Sequence, residues 1–480
     1  MSGLRRRTLY RQVAVCCMLA VLAGCASVDL DQTLSRTNTE AADFTEGKLI
    51  LRRTVEDHTA HEEIVAALLA EPLGQKEAVR LALMNSPALQ ALLARNWADL
   101  ADSAQTGRIS NPLFSFEHVR FGDELDIGRM LSFGLLDLLL LPQRYQVAQG
   151  QIEAGQIRFT GEVVDQVTRV RQGWVHAVAA EQRLGYAEKV SESAEAGAEL
   201  ARRMEAVGNF NKLSRARYQV FYADAVTQLA VAQHEAVAAR EALVQLLGLT
   251  EVQALKLQLP ERLPDLPVEP LQPEVVGRKA SQERLDIRLA RTSLDAAARA
   301  QGLNLVTSMT DIELGIRRDT RFDNAERTRT AGRGYEVSVR LPVFDWGDMQ
   351  REAMNTRTLA AASQMETVIR AAGSNLRETY SAYRTGYDIA RHYHDEIIPL
   401  RKKISEENML RYNGMLISVF DLLADMREQI EGVVAAINAE QQFWLADAAL
   451  QAAMIGRPVP VISAESAVRT VAGGGSDATH

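Results

Sequence analysis

A segment of alternating apolar and polar residues constrains the fold of this chain more than any other feature. Residues 335–348 read YEVSVRLPVFDWGD. The apolar positions are Val337, Val339 and Leu341, and the polar positions are Glu336, Ser338 and Arg340. Successive side chains of a β-strand point to opposite faces, so this pattern predicts a strand with one apolar and one polar face. A similar segment at residues 131–137, LSFGLLD, has Ser132 in the position of Ser338.

Both strand segments belong to an internal repeat. Residues 73–259 and 275–456 share the predicted order of helix, strand, strand, long helix, turn and shorter helix. The long helices are expected at residues 143–207 and 349–412, each roughly 96 Å long at a rise of 1.5 Å per residue. A lone column of that length has no globular core, so it must pack against copies of itself. Residues 260–274, which are rich in proline, are expected to form an extended connector between the repeats.

Prolines, glycines and charged runs predict the boundaries within each repeat. Pro87 predicts a kink or a break between two helices, and Pro399 predicts a kink in the second long helix. The expected helix turns are Gly208–Asn209 and Asn413–Gly414. The expected strands are residues 114–117, 130–141, 309–316 and 335–343, with charged loops at residues 120–129 and 317–334. The leucine run at the end of the second strand is also compatible with a buried helix.

The N-terminus has the pattern of a bacterial lipoprotein signal. A basic start and an apolar stretch at residues 13–23 precede the sequence LAGC, which ends at Cys25. We expect a signal peptide at residues 1–24 and a lipid anchor on Cys25; an ordinary secretory peptide is the alternative. Cys16 and Cys17 would leave with the signal, so no disulfide is expected in the mature chain. The other terminal segments are expected to be an N-terminal lead at residues 25–72, with a short helix near 62–70, and a disordered tail at residues 457–480.

Composition and strand number together predict a membrane assembly of several copies. The net charge of -8 argues against binding to nucleic acid, which requires a basic surface. No stretch of about 20 apolar residues predicts a membrane-spanning helix, so a membrane would have to be crossed by strands. Four strands from one chain cannot close a barrel, and open sheet edges are not tolerated in lipid. Three copies would supply twelve strands and a barrel wide enough for a water-filled lumen.

Four segments carry a resemblance to a known family. They are PLGQKEAVRLALMNSPAL at residues 72–89, EAVGNFNKLSRAR at 205–217, LPVFDWGD at 341–348 and RYNGMLISVFDLLAD at 411–425. In their order and spacing the sequence resembles the TolC-like outer-membrane factors, the exit ducts of tripartite efflux pumps and type I secretion systems. The resemblance implies an α+β, mainly α fold with long antiparallel coiled-coil helices and two β-hairpins per chain. Three chains would form a twelve-stranded β-barrel continuous with a periplasmic α-helical tunnel.

The resemblance also assigns roles to individual residues and partners. The helix turns at Gly208, Asn209, Asn413 and Gly414 would contact a periplasmic adaptor protein. Asp421 and Asp425 would form an acidic ring at the channel entrance, although the family's second acidic position is Ala424 here. Independently of the resemblance, the strand alternation places Glu336, Ser338 and Arg340 in the barrel lumen, and the lipoprotein pattern places a lipid on Cys25 in the outer membrane. The inner-membrane partner would be a pump, expected to be of the RND type.

The sequence gives little support to an enzyme. His176, His234 and the pair His392 and His394 lack ligand spacing with nearby acids or cysteines. Nucleophile elbows, glycine-rich phosphate loops and repeated carboxylate motifs are absent from the sequence. No cofactor and no metal site is therefore expected.

Three functions remain open from sequence alone. The first is a passive outer-membrane duct of a tripartite efflux system. The second is the corresponding duct of a type I protein secretion system. The third is a lipid-anchored periplasmic coiled-coil scaffold without a pore, which leaves the alternating strands without a purpose. The exported substrate is not specified by the sequence.

Overall fold

Long helices and one antiparallel sheet make up the structure. The computed structural model describes residues 29–50, 55–281, 284–307, 311–323 and 325–459. The signal peptide expected at residues 1–24 and the lipid site Cys25 lie outside these residues, as does nearly all of the expected tail. The predicted fold class, mainly helical with two β-hairpins, is confirmed.

The elements follow the same order in both halves of the chain. The first half contains α1 (Leu30–Glu40), α2 (Ala42–Thr45), α3 (Val55–Leu68), α4 (Gln75–Asn85), α5 (Pro87–Thr106), β1 (Leu113–Phe121), β2 (Glu124–Gly134), α6 (Leu135–Leu139), α7 (Leu141–Ala206), α8 (Lys212–Leu247) and α9 (Glu251–Ala254). The second half contains α10 (Pro273–Ser281), α11 (Leu285–Thr307), β3 (Ile312–Asp323), β4 (Thr328–Val339), α12 (Asp348–His392), a π-helical turn (Tyr393–Ile397), α13 (Ile398–Asn413) and α14 (Val419–Ile455). Across the described residues, no helix is both long and apolar enough to span a membrane.

The hairpins are longer than expected, and the predicted charged loops at residues 120–129 and 317–334 are wrong. β1 is separated from β2 by two residues only, and β3 from β4 by four. Charged residues are tolerated in these strands because opposite charges lie side by side on one face. Arg321 of β3, for example, is paired with Asp126 of β2, and its Nε lies 2.8 Å from the Asp126 Oδ1.

Two strands end earlier than expected. The strand expected at 130–141 ends at Gly134, and its leucine run forms the helix α6, which was the alternative interpretation. The strand expected at 335–343 ends at Val339, so Arg340 lies just beyond β4. Pro342 has no N–H to donate to a strand ladder, which accounts for an end near this position.

The two prolines predicted to disturb helices both do so. Pro87 opens α5 immediately after α4 has ended, so the first helix is broken into two. Pro399 lies in the first turn of α13, directly after the π-helical turn. A proline cannot donate to the carbonyl four residues earlier, and a π-helical turn accommodates that missing bond without ending the helix.

The N-terminal lead is more helical than predicted. The expected extended segment contains α1 and α2, and the short helix expected near residues 62–70 is α3, which begins at Val55. Asn38 holds the segment that follows α2, since its side chain donates to the carbonyl of Leu49 and accepts from the Leu49 N–H. Such local hydrogen bonds leave no periodic signature in the sequence.

Contacts divide the described chain into two units. The first contains the sheet with residues 94–159 and 286–369, and its small helical core includes Leu100, Ala148 and Ile152. The second contains residues 34–93, 160–285 and the chain from 370 onward. Its main core surrounds Phe443, which is fully buried and stacks edge-on against Tyr387 with ring centroids 5.7 Å apart.

The proline-rich connector is held by aromatic side chains of the second unit. No helix or strand occurs at residues 257–272, and the last two residues of the expected connector begin α10. Tyr380 donates to the Leu271 carbonyl, and Tyr387 donates to the carbonyls of Pro267 and Val268. Trp444 donates to the Pro264 carbonyl.

A polar cluster is buried between helices of the second unit. Arg171 donates to the Phe44 carbonyl and to Gln451, at 2.5 and 2.7 Å, and Gln451 donates to Asp447 at 2.6 Å. Burial raises the pKa of Asp447 from 3.8 to about 6, although Arg171 and Gln451 partly offset the effect. The carboxyl group therefore binds a proton at a higher pH in the folded chain than in the unfolded chain.

Asp447 is expected to make the folded chain more stable at pH 5 than at pH 7. The folded state keeps its proton between pH 3.8 and about 6, where the unfolded chain has lost it, so stability falls as the pH rises through this window. Thermal unfolding in detergent at the two pH values checks this, with Asp447→Asn as the comparison. The variant should be at least as stable as wild type at pH 7. An unchanged pH dependence in the variant would contradict the assignment.

Candidate functional site: the charged sheet face and the helix turns

The strand register sorts the sheet residues into two chemically different faces. We call the face that carries Glu336 and Ser338 the acidic face, and the face that carries Val337 and Val339 the apolar face. The acidic residues on the acidic face are Glu117, Glu124, Asp126, Glu313, Asp319, Asp323 and Glu336. Within the four strands, the basic residues on this face are Arg317 and Arg321. The acidic face thus carries a clear surplus of negative charge.

Ion pairs cross the acidic face from strand to strand. Arg321 holds Asp126 through two bonds, with Nε–Oδ1 and Nη2–Oδ2 distances of 2.8 and 2.9 Å. Arg317 contacts Asp319 at 2.8 Å and reaches Glu117 across the sheet at 3.4 Å. Bidentate arginine–carboxylate pairs are the strongest of the common ion pairs, so they fix the polar side chains of this face.

The three residues predicted to line a lumen are placed together at one end of this face. Glu336 lies opposite Gly315, and Ser338 lies opposite Glu313. Arg340 extends the same series beyond β4, because its N–H donates to the Asp311 carbonyl at 2.9 Å. Its guanidinium Nη2 lies 3.8 Å from the Asp311 carboxylate. Their role in a lumen stays a prediction.

Sequence reasoning missed the paired residues of this face because it placed them in loops. Part of the signal was available as a period-two pattern in β3, where, apart from Arg318, the charged residues alternate with apolar or uncharged ones. The acidic-face positions of this strand are Glu313, Gly315, Arg317, Asp319, Arg321 and Asp323. Hydrophobic periodicity alone does not detect a strand whose charged residues are neutralised across the sheet.

The first predicted helix turn, at Gly208 and Asn209, is a compact left-handed cap. Gly208 has a φ of 80°, and the Asn209 N–H donates to the Met204 carbonyl at 2.9 Å. Asn211 then caps the returning helix by accepting from the Ser214 N–H. The structure brings Gly208 and Asn209 to the surface of the second unit, with their adaptor contact still a prediction.

In the second predicted helix turn, at Asn413 and Gly414, the left-handed residue is not the glycine. Asn413 is the last residue of α13, and Gly414 has an ordinary φ of -79°. Met415 instead takes the left-handed position, with a φ of 59°, and the Leu416 N–H donates to the Arg411 carbonyl. The glycine comes one residue too early in the sequence, and a methionine bears the strain that glycine would avoid.

Met415→Gly is expected to stabilise the chain by about 1 kcal/mol, because glycine reaches a left-handed φ without steric strain. The side chain is 93% exposed, so its loss removes little packing. Thermal unfolding in detergent measures the difference. Gly414→Ala is the matched control, since its Cβ would meet only ordinary contacts at 3.5 Å or more. A neutral or destabilising Met415→Gly would show that the strain at this turn is negligible.

Asp421 lies at the start of α14 in a capping box. The Ser418 hydroxyl accepts from the Asp421 N–H, and the Asp421 carboxylate accepts from both the hydroxyl and the N–H of Ser418. The hydrogen bond from the Ser418 hydroxyl, followed by that from its N–H, lowers the pKa of Asp421. This carboxylate is exposed and carries a full charge at neutral pH, so the capping role is compatible with the predicted acidic ring.

Asp425 lies one helical turn beyond Asp421. It is half-buried, and its Oδ2 is buried without a hydrogen-bond partner among the described residues. Residues four apart share a helix face, so the two carboxylates predicted for an entrance ring lie on neighbouring turns of one helix. The ring itself requires further copies of the chain and stays a prediction.

One curated protein and several solved structures are similar to this chain. The cobalt-zinc-cadmium resistance protein CzcC of Cupriavidus metallidurans is 24% identical over 300 residues, which cover 57% of this chain and 69% of that protein. No family profile matches the sequence.

The structural likeness is more extensive than the sequence likeness. The Campylobacter jejuni CmeC outer membrane channel has a TM-score of 0.67 at 14% identity, covering 88% of this chain and 92% of that one. A membrane protein from Pseudomonas aeruginosa also has a TM-score of 0.67, at 18% identity, covering 79% and 93%. The Neisseria gonorrhoeae MtrE outer membrane channel has a TM-score of 0.64 at 18% identity, covering 81% and 91%.

Proposed function

We propose that this chain, which has the fold of the TolC-like outer-membrane channels, is the outer-membrane duct of a tripartite efflux system. Three copies would form a passive channel through which a periplasmic adaptor and an inner-membrane pump deliver substrates to the outside. The duct would perform no chemistry, since the partner pump would supply the energy. It would lie in the outer membrane and extend into the periplasm.

The main support for this proposal is an open sheet with one acidic and one apolar face. β1 and β4 are the outer strands of the order β1-β2-β3-β4, so each leaves one edge unpaired. Open edges are not tolerated in hydrocarbon, and closure requires further copies of the sheet. An apolar face towards lipid and an acidic face towards water is the pattern expected of a barrel wall.

This proposal gives a role to each group of residues predicted from the sequence. Glu336, Ser338 and Arg340 would line the lumen with the ion-paired residues of the acidic face. The turns at Gly208 and Asn413 would meet the adaptor at the periplasmic end. A lipid on Cys25 would anchor the N-terminus, and the pump partner would be of the RND type.

We also propose metal cations as the substrate class. The relative CzcC is, by its name, a cobalt-zinc-cadmium resistance protein. The surplus of carboxylates on the acidic face supports the same choice, because rings of acidic side chains favour cations in a pore. Deleting the gene in its native host should lower tolerance to cobalt, zinc or cadmium, and unchanged tolerance to all three would contradict the choice of these metals.

The oligomeric state in membranes tests the duct itself. Protein extracted in mild detergent from the outer-membrane fraction should have three times the mass of one chain by native mass spectrometry. A folded monomer in the same detergent extract, with no trimer, would favour the lipid-anchored scaffold hypothesis instead.

A further inference from the structure

The apolar face changes character along the strands. Residues opposite one another on neighbouring strands form rows across the sheet. The rows near the helices contain Phe114, Leu131, Ile316, Tyr335, Phe133, Leu314, Val337, Ile312 and Val339. In the half near the hairpin turns, the same face also carries five arginines among its apolar residues: Arg120, Arg129, Arg318, Arg329 and Arg333. We call these five residues the arginine belt.

Three members of the belt lie directly opposite one another. Arg129 faces Arg318 in the β2–β3 register, and Arg318 faces Arg333 in the β3–β4 register. Neighbouring strands are about 4.8 Å apart, so three like charges follow one another across roughly 10 Å. Like charges directly opposite each other destabilise a sheet unless something neutralises them.

The sheet itself provides no such neutralisation. Among the paired residues of the four strands, every acidic side chain is on the acidic face and none is on the apolar face. All five belt residues are exposed, and no carboxylate of the described residues forms an ion pair with them. Arg317 and Arg321, on the other face of β3, do have carboxylate partners. The belt therefore lacks an anionic partner that its counterparts possess.

The position of the belt indicates where that partner lies. Arginine on a lipid-facing surface is costly at the centre of the hydrocarbon and tolerated near the interface. The belt occupies the half of the sheet next to the turns, while the apolar rows continue on the other side of it to exposed Leu341 and Trp346. If the helices are periplasmic, the turns face the outside, and the belt lies at the level of the outer-leaflet headgroups.

We propose that the arginine belt binds the phosphate groups of the phosphorylated glycolipid of the outer leaflet, of the lipid A type. Guanidinium groups bind phosphate oxygens in a bidentate manner, and a cluster of them neutralises an anionic headgroup. The phosphate groups of the bound lipid neutralise the like charges of the row formed by Arg129, Arg318 and Arg333. This inference rests on the proposed outer-membrane location.

Thermal unfolding with defined lipids tests the belt in the full-length protein. Diphosphoryl lipid A should raise the unfolding temperature of the detergent-solubilised wild type by several degrees, and dephosphorylated lipid A should have little effect. Phosphatidylglycerol, which has a phosphodiester, should have a smaller effect than lipid A. The triple variant R129Q/R318Q/R333Q should lose most of the lipid A shift. Without lipid it should be at least as stable as wild type, because a row of like charges has been removed.

The matched control is Arg321→Gln, which removes one charge from the opposite face of β3 and should keep the full lipid A shift. If the triple variant does not fold, Arg318→Gln with native mass spectrometry of bound lipid A replaces it and should show reduced occupancy. No shift in the wild type, or an equal shift in the triple variant, would overturn the proposal. The triple variant should still conduct ions in a phosphatidylcholine bilayer. If neither the wild type nor the triple variant conducts, the result would count against the channel function and not against the lipid site.

Discussion

Val337→Arg is expected to prevent most of the protein from assembling in the outer membrane. Val337 lies in the apolar rows, opposite Leu314, and the substitution would place a charge in the hydrocarbon. Such a charge near the bilayer midplane costs about 2 to 4 kcal/mol per chain. In a trimer the penalty applies three times, so the assembled fraction should fall at least tenfold. The amount of trimer in purified outer membranes, measured by native electrophoresis, checks the result.

Two controls separate membrane burial from simple misfolding. Ser338→Arg changes the next residue of β4 but points to the acidic face opposite Glu313, where a positive charge is favourable. Ala331→Arg is on the apolar face but near the turn, where the penalty is only about 0 to 1 kcal/mol. Both should assemble almost normally. Equal losses in Val337→Arg and Ser338→Arg would show that β4 does not separate lipid from water.

Gly248→Ala is expected to destabilise the helical unit by about 3 kcal/mol, from a left-handed backbone and an overfilled site. Gly248 ends α8 with a φ of 67°. A Cβ at this residue would lie 2.4 Å from the Pro87 Cδ and 2.8 Å from the Ser86 Cα. The Asn85 side chain donates to the Gly248 carbonyl at 2.8 Å, so α8 cannot move away without losing this bond. Thermal unfolding in detergent measures the loss.

Gly208→Ala is the matched control for this site. Gly208 has a φ of 80°, but a Cβ there would meet nothing within 4 Å. The free energy of unfolding of the variant should therefore fall only by the cost of a left-handed backbone at alanine, about 1 to 2 kcal/mol. If both substitutions cost the same, the close approach of α8 to the break at Pro87 contributes nothing to stability.

The elements with a regular hydrophobic period could be predicted from the sequence. The long helix expected at 143–207 is α7, which differs from the expectation by two residues at its start and one at its end. The break at Pro87 and the turn at Gly208 follow from backbone constraints that hold in any context. The alternation of β4 predicted that Glu336 and Ser338 share one face of the sheet, as the register has them, because successive side chains of a strand point to opposite faces.

The remainder depends on contacts between residues that are distant in sequence. On the acidic face, the charged halves of the strands are stabilised by pairs such as Arg321 and Asp126, which are far apart in the chain. The strained Met415 is held in place by a cap that the expected glycine position does not reveal. The leucine run after Gly134 carries no periodic signal that distinguishes a short helix from a strand.

We expect copies of this chain to enclose a water-filled pore whose wall is the acidic face. Single-channel recording of the purified, trimer-sized protein in a planar bilayer would detect such a pore. With a potassium chloride gradient across the bilayer, the protein should give discrete conductance steps and a reversal potential that shows preference for potassium over chloride. Insertion of the folded trimer without any conductance, or a preference for chloride, would contradict this expectation.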